Sequence, residues 1–512
     1  MMKKFLFALS LSGMFFTAFA NLNGNGYYRV MNFGSSRWAN LIDDKASVDF
    51  FAGSADLHSM QLTNDTEAIL SSPGSVVYIN QVANNQYDVA AQGVTLESLV
   101  DNTIKIQANG TSSANNQTLY RIYGTYKGVT KYIGDSNIIT IEEFGNASLN
   151  VSNVNFNKWY IMPLDAASDN YFGAVPSVTA GNNYYTTLFT SFAYKPYSAG
   201  VKAYYISRVG YGMAEMVEIT GAVPPGSPVV IQCAGQKVSD NRMQIEELQD
   251  VLPANALTGV YFNYYGSKSY SNRVAYDPKT MRVLGVCSDG SLGFVTSDIE
   301  YIPANSAYLT VPEGSLPEIK CVSTAEYEQN LPQAPEQFYF GDTALLLPQG
   351  DDNYSGTFTL PASTSEDKAL KIRFYASSTR ADDNFIGAYS PNNTDVYLTA
   401  PGSDLLPFQY GSDNYWVLAD WFGGDLTVTL NLKYQYIKFQ SQRAGIDSVI
   451  SSPDNLLYDG ESVICESASH IAVYNLAGQL MTESKNNSCN VSGLPKGVYV
   501  AVANGKSIKI VR

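Results

Sequence analysis

The chain has 512 residues, 45% apolar and 15% charged, with 32 basic against 47 acidic side chains and a formal net charge of −15. At roughly 150 residues per domain this length supports about three or four domains, and an acidic chain does not attract phosphate backbones, which argues against nucleic-acid binding. With 37 Tyr but only 2 His, His58 and His470, HExxH zinc proteases and histidine-rich metal sites are excluded.

Residues 1–20 read MMKKFLFALSLSGMFFTAFA. Lys3 and Lys4 form a basic start, Phe5 to Phe16 an apolar core, and Ala18-Phe19-Ala20 a small-residue cleavage site, the pattern of an export signal cut between Ala20 and Asn21. The apolar run is shorter than the ~20 residues a spanning helix needs, so no transmembrane anchor is expected. Export places the chain outside the cell, where disulfides are permitted. The five cysteines are Cys233, Cys287, Cys321, Cys465 and Cys489. An odd number leaves at least one thiol free or paired between chains. Cys465 and Cys489 are close enough in sequence to bridge, or all five are small buried hydrophobes.

From Asn21 onward, short alternating runs of Val, Ile, Tyr, Thr and Phe are broken by Gly, Asn, Ser and Pro, the signature of strands and turns. The spacing predicts strands near Tyr27–Asn32, Ser75–Asn80, Tyr120–Tyr123, Val201–Ser207, Val229–Gln232, Lys371–Ala376 and Leu426–Leu432, and one short helix near Gln244–Leu252. The expected fold class is all-β and multi-domain. Expected boundaries are a first module at 21–175, a second at 176–328, a third at 333–443 and a tail at 446–512. Asn330–Gln337, with two prolines, serves as a linker.

In the first module Gly26-Tyr-Tyr-Arg-Val30 is echoed by Tyr120-Arg-Ile-Tyr123, and Lys158-Trp-Tyr-Ile161 closes the series. This arrangement resembles ricin-like β-trefoil modules, and its first strand resembles those of surface proteins of Bacteroidota. No Q-x-W motif accompanies it, so the resemblance implies a fold and supplies no sugar-binding residues. In the second module, Gly221-Ala-Val-Pro-Pro-Gly-Ser-Pro228 sets prolines ahead of a strand. With Asn255–Gly259 and Ile302–Leu309, it resembles a β-rich accessory module of secreted Bacteroidota proteins, an architecture without an activity.

The third module opens Pro335-Glu-Gln-Phe-Tyr-Phe-Gly-Asp342. It continues through Asn353-Tyr354-Ser-Gly-Thr-Phe358 and Leu370-Lys-Ile-Arg-Phe-Tyr375 to Trp416 and Trp421. It resembles the immunoglobulin-like starch-binding modules of outer-membrane polysaccharide-utilisation proteins, which implies a sandwich and a carbohydrate ligand. Tyr and Trp present flat apolar faces with a polar edge, on which sugar rings stack. The candidate stacking residues are Trp421, Tyr415, Tyr354 and Tyr375, with Lys371 and Arg373 as hydroxyl partners. Trp416, beside Val417 and Leu418, reads as core. Asp342, Asp351, Asp352, Asp382 and Asp383 are the carboxylates available for a hydrolase, but they lie in turn-rich segments where Asp bonds its own backbone. Asp351-Asp352-Asn353 and Asp382-Asp383-Asn384 also offer oxygen ligands suited to calcium, though neither follows the EF-hand pattern.

The tail runs through Ile471-Ala-Val-Tyr-Asn-Leu-Ala-Gly478, Leu494-Pro-Lys-Gly497-Val-Tyr499 and Asn504-Gly505-Lys506-Ser-Ile-Lys509-Ile-Val-Arg512. Strands joined by turns at Gly478, Gly497 and Gly505 make a small sandwich, and Asn504-Gly505 favours a type I′ hairpin. The pattern resembles the C-terminal sorting domain of type IX secretion. That resemblance implies delivery to the outer-membrane surface and a partner in the outer-membrane secretion machinery. The combined expectation is a surface protein without catalytic residues or cofactor that binds an extracellular glycan or a surface protein. The alternatives are a structural spacer that contacts other proteins and an unrecognised hydrolase.

Overall fold

A computed structural model describes residues 22–511 apart from 43–47, 52–53, 93, 96–103, 127–128, 136–143, 149–154, 248–251, 264–272, 341–342, 361–368, 378–384, 399–403, 420–422, 442–455, 459, 466 and 476. The fold is all-β, with two short α-helices among the described residues, at Thr66–Ser71 and Thr324–Gln329. Among the described residues no helix is long and apolar enough to cross a membrane. The chain divides into two compact units, Met1–Gln333 with Lys433–Gln435, and Ala334–Leu432 with Tyr436–Arg512. The division falls within Asn330–Gln337.

In the first unit, six strands close into a ring. Gly26–Asn32 pairs with Val77–Ala83, which is followed around the ring by Gln86–Ala91, Ile104–Thr111, Thr118–Tyr126 and Trp159–Pro163, which returns to Gly26–Asn32. The two echoing strands both border the closing strand: Val30 faces Ile161, and Tyr120 faces Trp159. The ring is filled by alternate residues, among them Val30, Ile79, Val89, Ile106, Ile122 and Trp159. A void of about 20 Å³ among them is lined only by apolar side chains. It has room for at most one water and offers that water no polar partner, so the barrel interior is packing and not a ligand cavity.

The expected modules 21–175 and 176–328 both belong to this unit. Tyr27 and Val76 pack with Phe172, Phe192, Tyr194 and Met243 in one core. Arg29 is wholly buried there. It donates to Ser75 Oγ (3.0 Å), Asn170 Oδ1 (2.7 Å) and the Tyr171 carbonyl (3.0 Å). Beyond lie a ten-stranded sheet and a three-stranded sheet. Of the helix expected near Gln244–Leu252, the first three residues belong instead to a strand, Arg242–Glu246, and residues 248–251 lie outside the described residues. The strand's partners decide this: it pairs with Phe172–Gly173 on one side and Ala193–Pro196 on the other. Met243 and Ile245 then meet the core together, as a period of two requires. The helix Thr324–Gln329 is closed by a capping box, in which Ser323 Oγ accepts from the Glu326 N–H and the Glu326 carboxylate accepts from the Ser323 N–H.

In the second unit eight strands close into a barrel in the order Phe338–Phe340, Thr343–Gly350, Asn353–Leu360, Gly424–Asn431, Tyr436–Ser441, Leu406–Tyr410, Phe385–Ala388 and Phe374–Tyr375. The expectation from sequence is an immunoglobulin-like sandwich. The two faces join because Thr343–Gly350 and Leu406–Tyr410 each pair into both. A three-stranded sheet of Ala369–Ile372, Trp416–Ala419 and Val396–Leu398 lies beside it. Trp416 is fully buried, 5.4 Å from the Phe439 ring and 6.3 Å from Phe374.

The tail forms two small sheets, of three and four strands, around Val463, Ile471, Val473, Tyr499 and Ile510. Asn504 and Gly505 both take positive φ (50° and 75°), the geometry of a type I′ turn. Gly478 (φ 79°) turns the hairpin between Ile471–Asn475 and Leu480–Ser484. Gly497 sits 3.6 Å from the Tyr499 ring, measured from where a Cβ would stand. Lys506 and Lys509 are exposed on the last strand. Ala20, Asn21 and Arg512 lie outside the described residues.

Candidate functional site

The candidate site is built on the three-stranded sheet of the second unit. Lys371 and Tyr397 both stand opposite Val417, one on each side. Side chains in one row leave the same face, so Lys371 and Tyr397 flank that strand about 10 Å apart. Asp395, two residues before Tyr397, ties the row together. Its Oδ2 lies 2.9 Å from Lys371 Nζ, and its Oδ1 accepts the Tyr415 N–H at 2.8 Å. The Tyr415 N–H, then the Lys371 ammonium, hold the Asp395 carboxyl below its usual range. Asp395 in turn raises Lys371. Both groups are charged near neutral pH, one offering acceptors and the other donors.

Arg373 underpins the patch. Its guanidinium lies 4.0 Å from the Tyr415 ring centroid and 4.6 Å from that of Phe385. Its Nη2 donates to the Asp413 carbonyl, while its Nε is buried without a hydrogen-bond partner. Lys371 Nζ lies 5.3 Å from the Tyr415 ring. The Tyr415 ring is therefore already engaged by two cations and supports the patch rather than offering a free stacking face. Tyr397 is different: it is 66% exposed.

Of the residues expected from sequence, Lys371, Arg373 and Tyr415 come together here, and half-buried Tyr375 adjoins through Phe385, ring centroids 5.8 Å apart. Tyr354 does not. It is 4% exposed, packs edge-on against Phe338 at 5.1 Å and donates its hydroxyl to the Pro335 carbonyl at 2.5 Å. It is part of the barrel core. Trp421 lies outside the described residues. Sequence reasoning missed Tyr397 and Asp395. The signal available was the alternation in Asp395-Val-Tyr-Leu398, hidden by the Asn-rich turn before it.

Two of the aspartates considered for hydrolysis or calcium, Asp351 and Asp352, shape a turn through their backbone. Asp351 and Asp352 take positive φ (51° and 60°) in the turn between Thr343–Gly350 and Asn353–Leu360. The Asp351 carbonyl accepts from Asn431 Nδ2 at 3.2 Å, and the Asp352 carbonyl from the Leu432 N–H at 2.9 Å. Asp342, Asp382 and Asp383 lie outside the described residues. Among the described residues no three His, Cys, Asp or Glu side chains converge as metal ligands. The imidazole of His470 sits at the surface 2.9 Å from Glu483.

An open aromatic face beside a fixed acceptor and a fixed donor suits a pyranose ring. The ring's C–H face stacks on the aromatic while its hydroxyls bond the charged pair. No family model matches the chain, and neither a curated protein nor a solved structure matches it.

Proposed function

We propose that this chain is an exported, cell-surface, non-catalytic glycan-binding protein. The reading rests on the patch in which exposed Tyr397 adjoins the Lys371–Asp395 pair, with Arg373 and Tyr415 beneath it. Tyr397 is the stacking ring, Asp395 the hydroxyl acceptor and Lys371 the donor. The N-terminal signal and the sorting-like tail support delivery to the outer surface, with the secretion machinery as the partner during export. The test is affinity electrophoresis of the full chain in gels holding amylopectin, xylan or galactomannan. One polysaccharide is expected to retard the chain, and Tyr397→Ala to weaken that retardation roughly tenfold, the loss of one stacked ring. The melting temperature stays unchanged because Tyr397 is exposed. Equal retardation of variant and parent removes the reading, and no retardation in any gel favours a spacer that contacts proteins.

A further inference from the structure

The three-stranded sheet of the first unit turns one face inward and one to solvent. On its strands Ala193–Pro196 and Arg242–Glu246, Tyr194 and Met243 are each 1% exposed and belong to the core. Of the residues alternating with them, Ala193 is buried, while Lys195, Gln244 and Glu246 reach solvent. Lys195 lies opposite Gln244, and the Tyr197 N–H donates to the Arg242 carbonyl at 2.9 Å. Lys195 and Tyr197 therefore share the outer face with Arg242, Gln244 and Glu246. Lys195 Nζ lies 2.5 Å from Glu246 Oε1, the side chains 52% and 32% exposed. Tyr197 is 52% exposed. Arg242 borders the patch and is fixed: its guanidinium lies 4.1 Å from the Tyr171 ring centroid and donates to the Ala166 and Ser168 carbonyls at 3.1 and 3.0 Å.

This repeats the constellation of the second unit on an unrelated sheet. In each case an open tyrosine stands two residues beyond one member of a lysine–carboxylate pair, Lys195 to Tyr197 here and Asp395 to Tyr397 there. We infer that the outer face carrying Tyr197, Lys195 and Glu246 is a second pyranose-binding subsite. The inference rests on the glycan reading of the Tyr397 patch. Tyr197 supplies the ring face, Glu246 accepts from hydroxyls, and Lys195 and Gln244 donate to them. Lys195 and Glu246 set a donor and an acceptor side by side next to the ring, the pairing that sugar hydroxyls use.

The test uses the full chain in the same amylopectin, xylan and galactomannan gels, with Tyr197→Ala, Tyr397→Ala, the double variant, and Tyr197→Phe, which keeps the ring. Each alanine variant alone is expected to be partly retarded, the double variant to run free, and Tyr197→Phe to run like the parent. If Tyr197→Ala is retarded as the parent is, this inference falls while the Tyr397 site stands. If Tyr397→Ala is retarded as the parent is but Tyr197→Ala runs free, the first site falls and this one stands. If no gel retards the parent, both fall.

Discussion

At Gly387 the space that a side chain needs is filled by backbone. A Cβ there would stand 2.2 Å from the Ser412 carbonyl oxygen and 2.5 Å from that of Asn414. Both lie in the connection between Leu406–Tyr410 and Trp416–Ala419, which is tied down where the Asn414 carbonyl accepts the Ala388 N–H at 3.0 Å and the Ser412 hydroxyl donates to the Ala388 carbonyl at 2.7 Å. Gly387→Ala is expected to cost about 3 kcal/mol, the range of overpacking beside rigid backbone, read as a lowered urea midpoint. Arg373 is fixed in another way, by two rings and a carbonyl. Lysine lacks the planar fork that stacks and bonds at once, so Arg373→Lys is expected to lower the melting temperature and weaken glycan retardation together. An effect on neither would deny Arg373 its supporting role. Arg29 bears on pH. Burial pushes its guanidinium down to about 9, so its charged form is disfavoured in the fold, a cost present below pH 9 and relieved as pH rises toward the unfolded value. Much of this scale was illegible in the sequence. Trp416 could be read as core from its apolar neighbours. Whether Tyr354 or Tyr397 faced solvent depended on which partners the barrel brought to each, and the sequence pattern was similar for both.

Strand registers decide the thiols. In the tail Val463 stands opposite Cys489, and the Cys465 N–H donates to the Asn487 carbonyl. Cys465 and Cys489 therefore share a face but sit diagonally, with Cα atoms about 7–8 Å apart, at or beyond the reach of a disulfide. All five cysteines are free. Burial pushes the Cys233 thiol up to about 12 and raises Cys287 and Cys321 as well. The folded chain is therefore expected to resist a thiol reagent at pH 8 and to release five thiols in denaturant without reductant, where three or fewer would show a bridge. The same logic explains what was legible at the level of elements. The strand at Gly424–Asn431 carries its alternation openly, and Val229–Cys233 shows as a short β-branched run behind prolines. Arg242–Glu246 reads as helix on its own because Glu and Gln favour helices, and only its two strand neighbours override that preference.

Across the whole molecule, tyrosine sets the alkaline limit. Burial raises the phenols of Tyr27, Tyr28, Tyr87, Tyr171, Tyr194, Tyr204, Tyr261 and Tyr327 above their usual value. A raised folded pKa means the fold holds its protons longer than the unfolded chain does. This contribution is complete below pH ~10 and is lost as pH climbs above it. Arg29 opposes this trend but is one group against many. Urea midpoints are expected to fall from pH 9 to pH 11, with phenolate absorbance appearing at unfolding. A flat midpoint would contradict the burial. At the acid end, Arg208 holds Glu215 near 2, and the Ser291 hydroxyl does the same for Asp289, so their contributions are present above pH ~4.5 and lost toward pH 2. The all-β architecture was legible throughout because alternation and turn residues recur along the chain. The joining of its first two modules was not, since it depends on a shared core and a buried arginine that no local pattern announces.

The central claim is that an exposed ring beside a charged pair holds a sugar. The most direct measurement compares Tyr397→Phe with Tyr397→Ala in the gel that retards the parent chain. The phenylalanine keeps the stacking face and loses only a hydroxyl, so its retardation is expected to stay within about twofold of the parent while the alanine variant weakens roughly tenfold. If the two variants migrate alike, the ring face does not carry the binding and the account is contradicted.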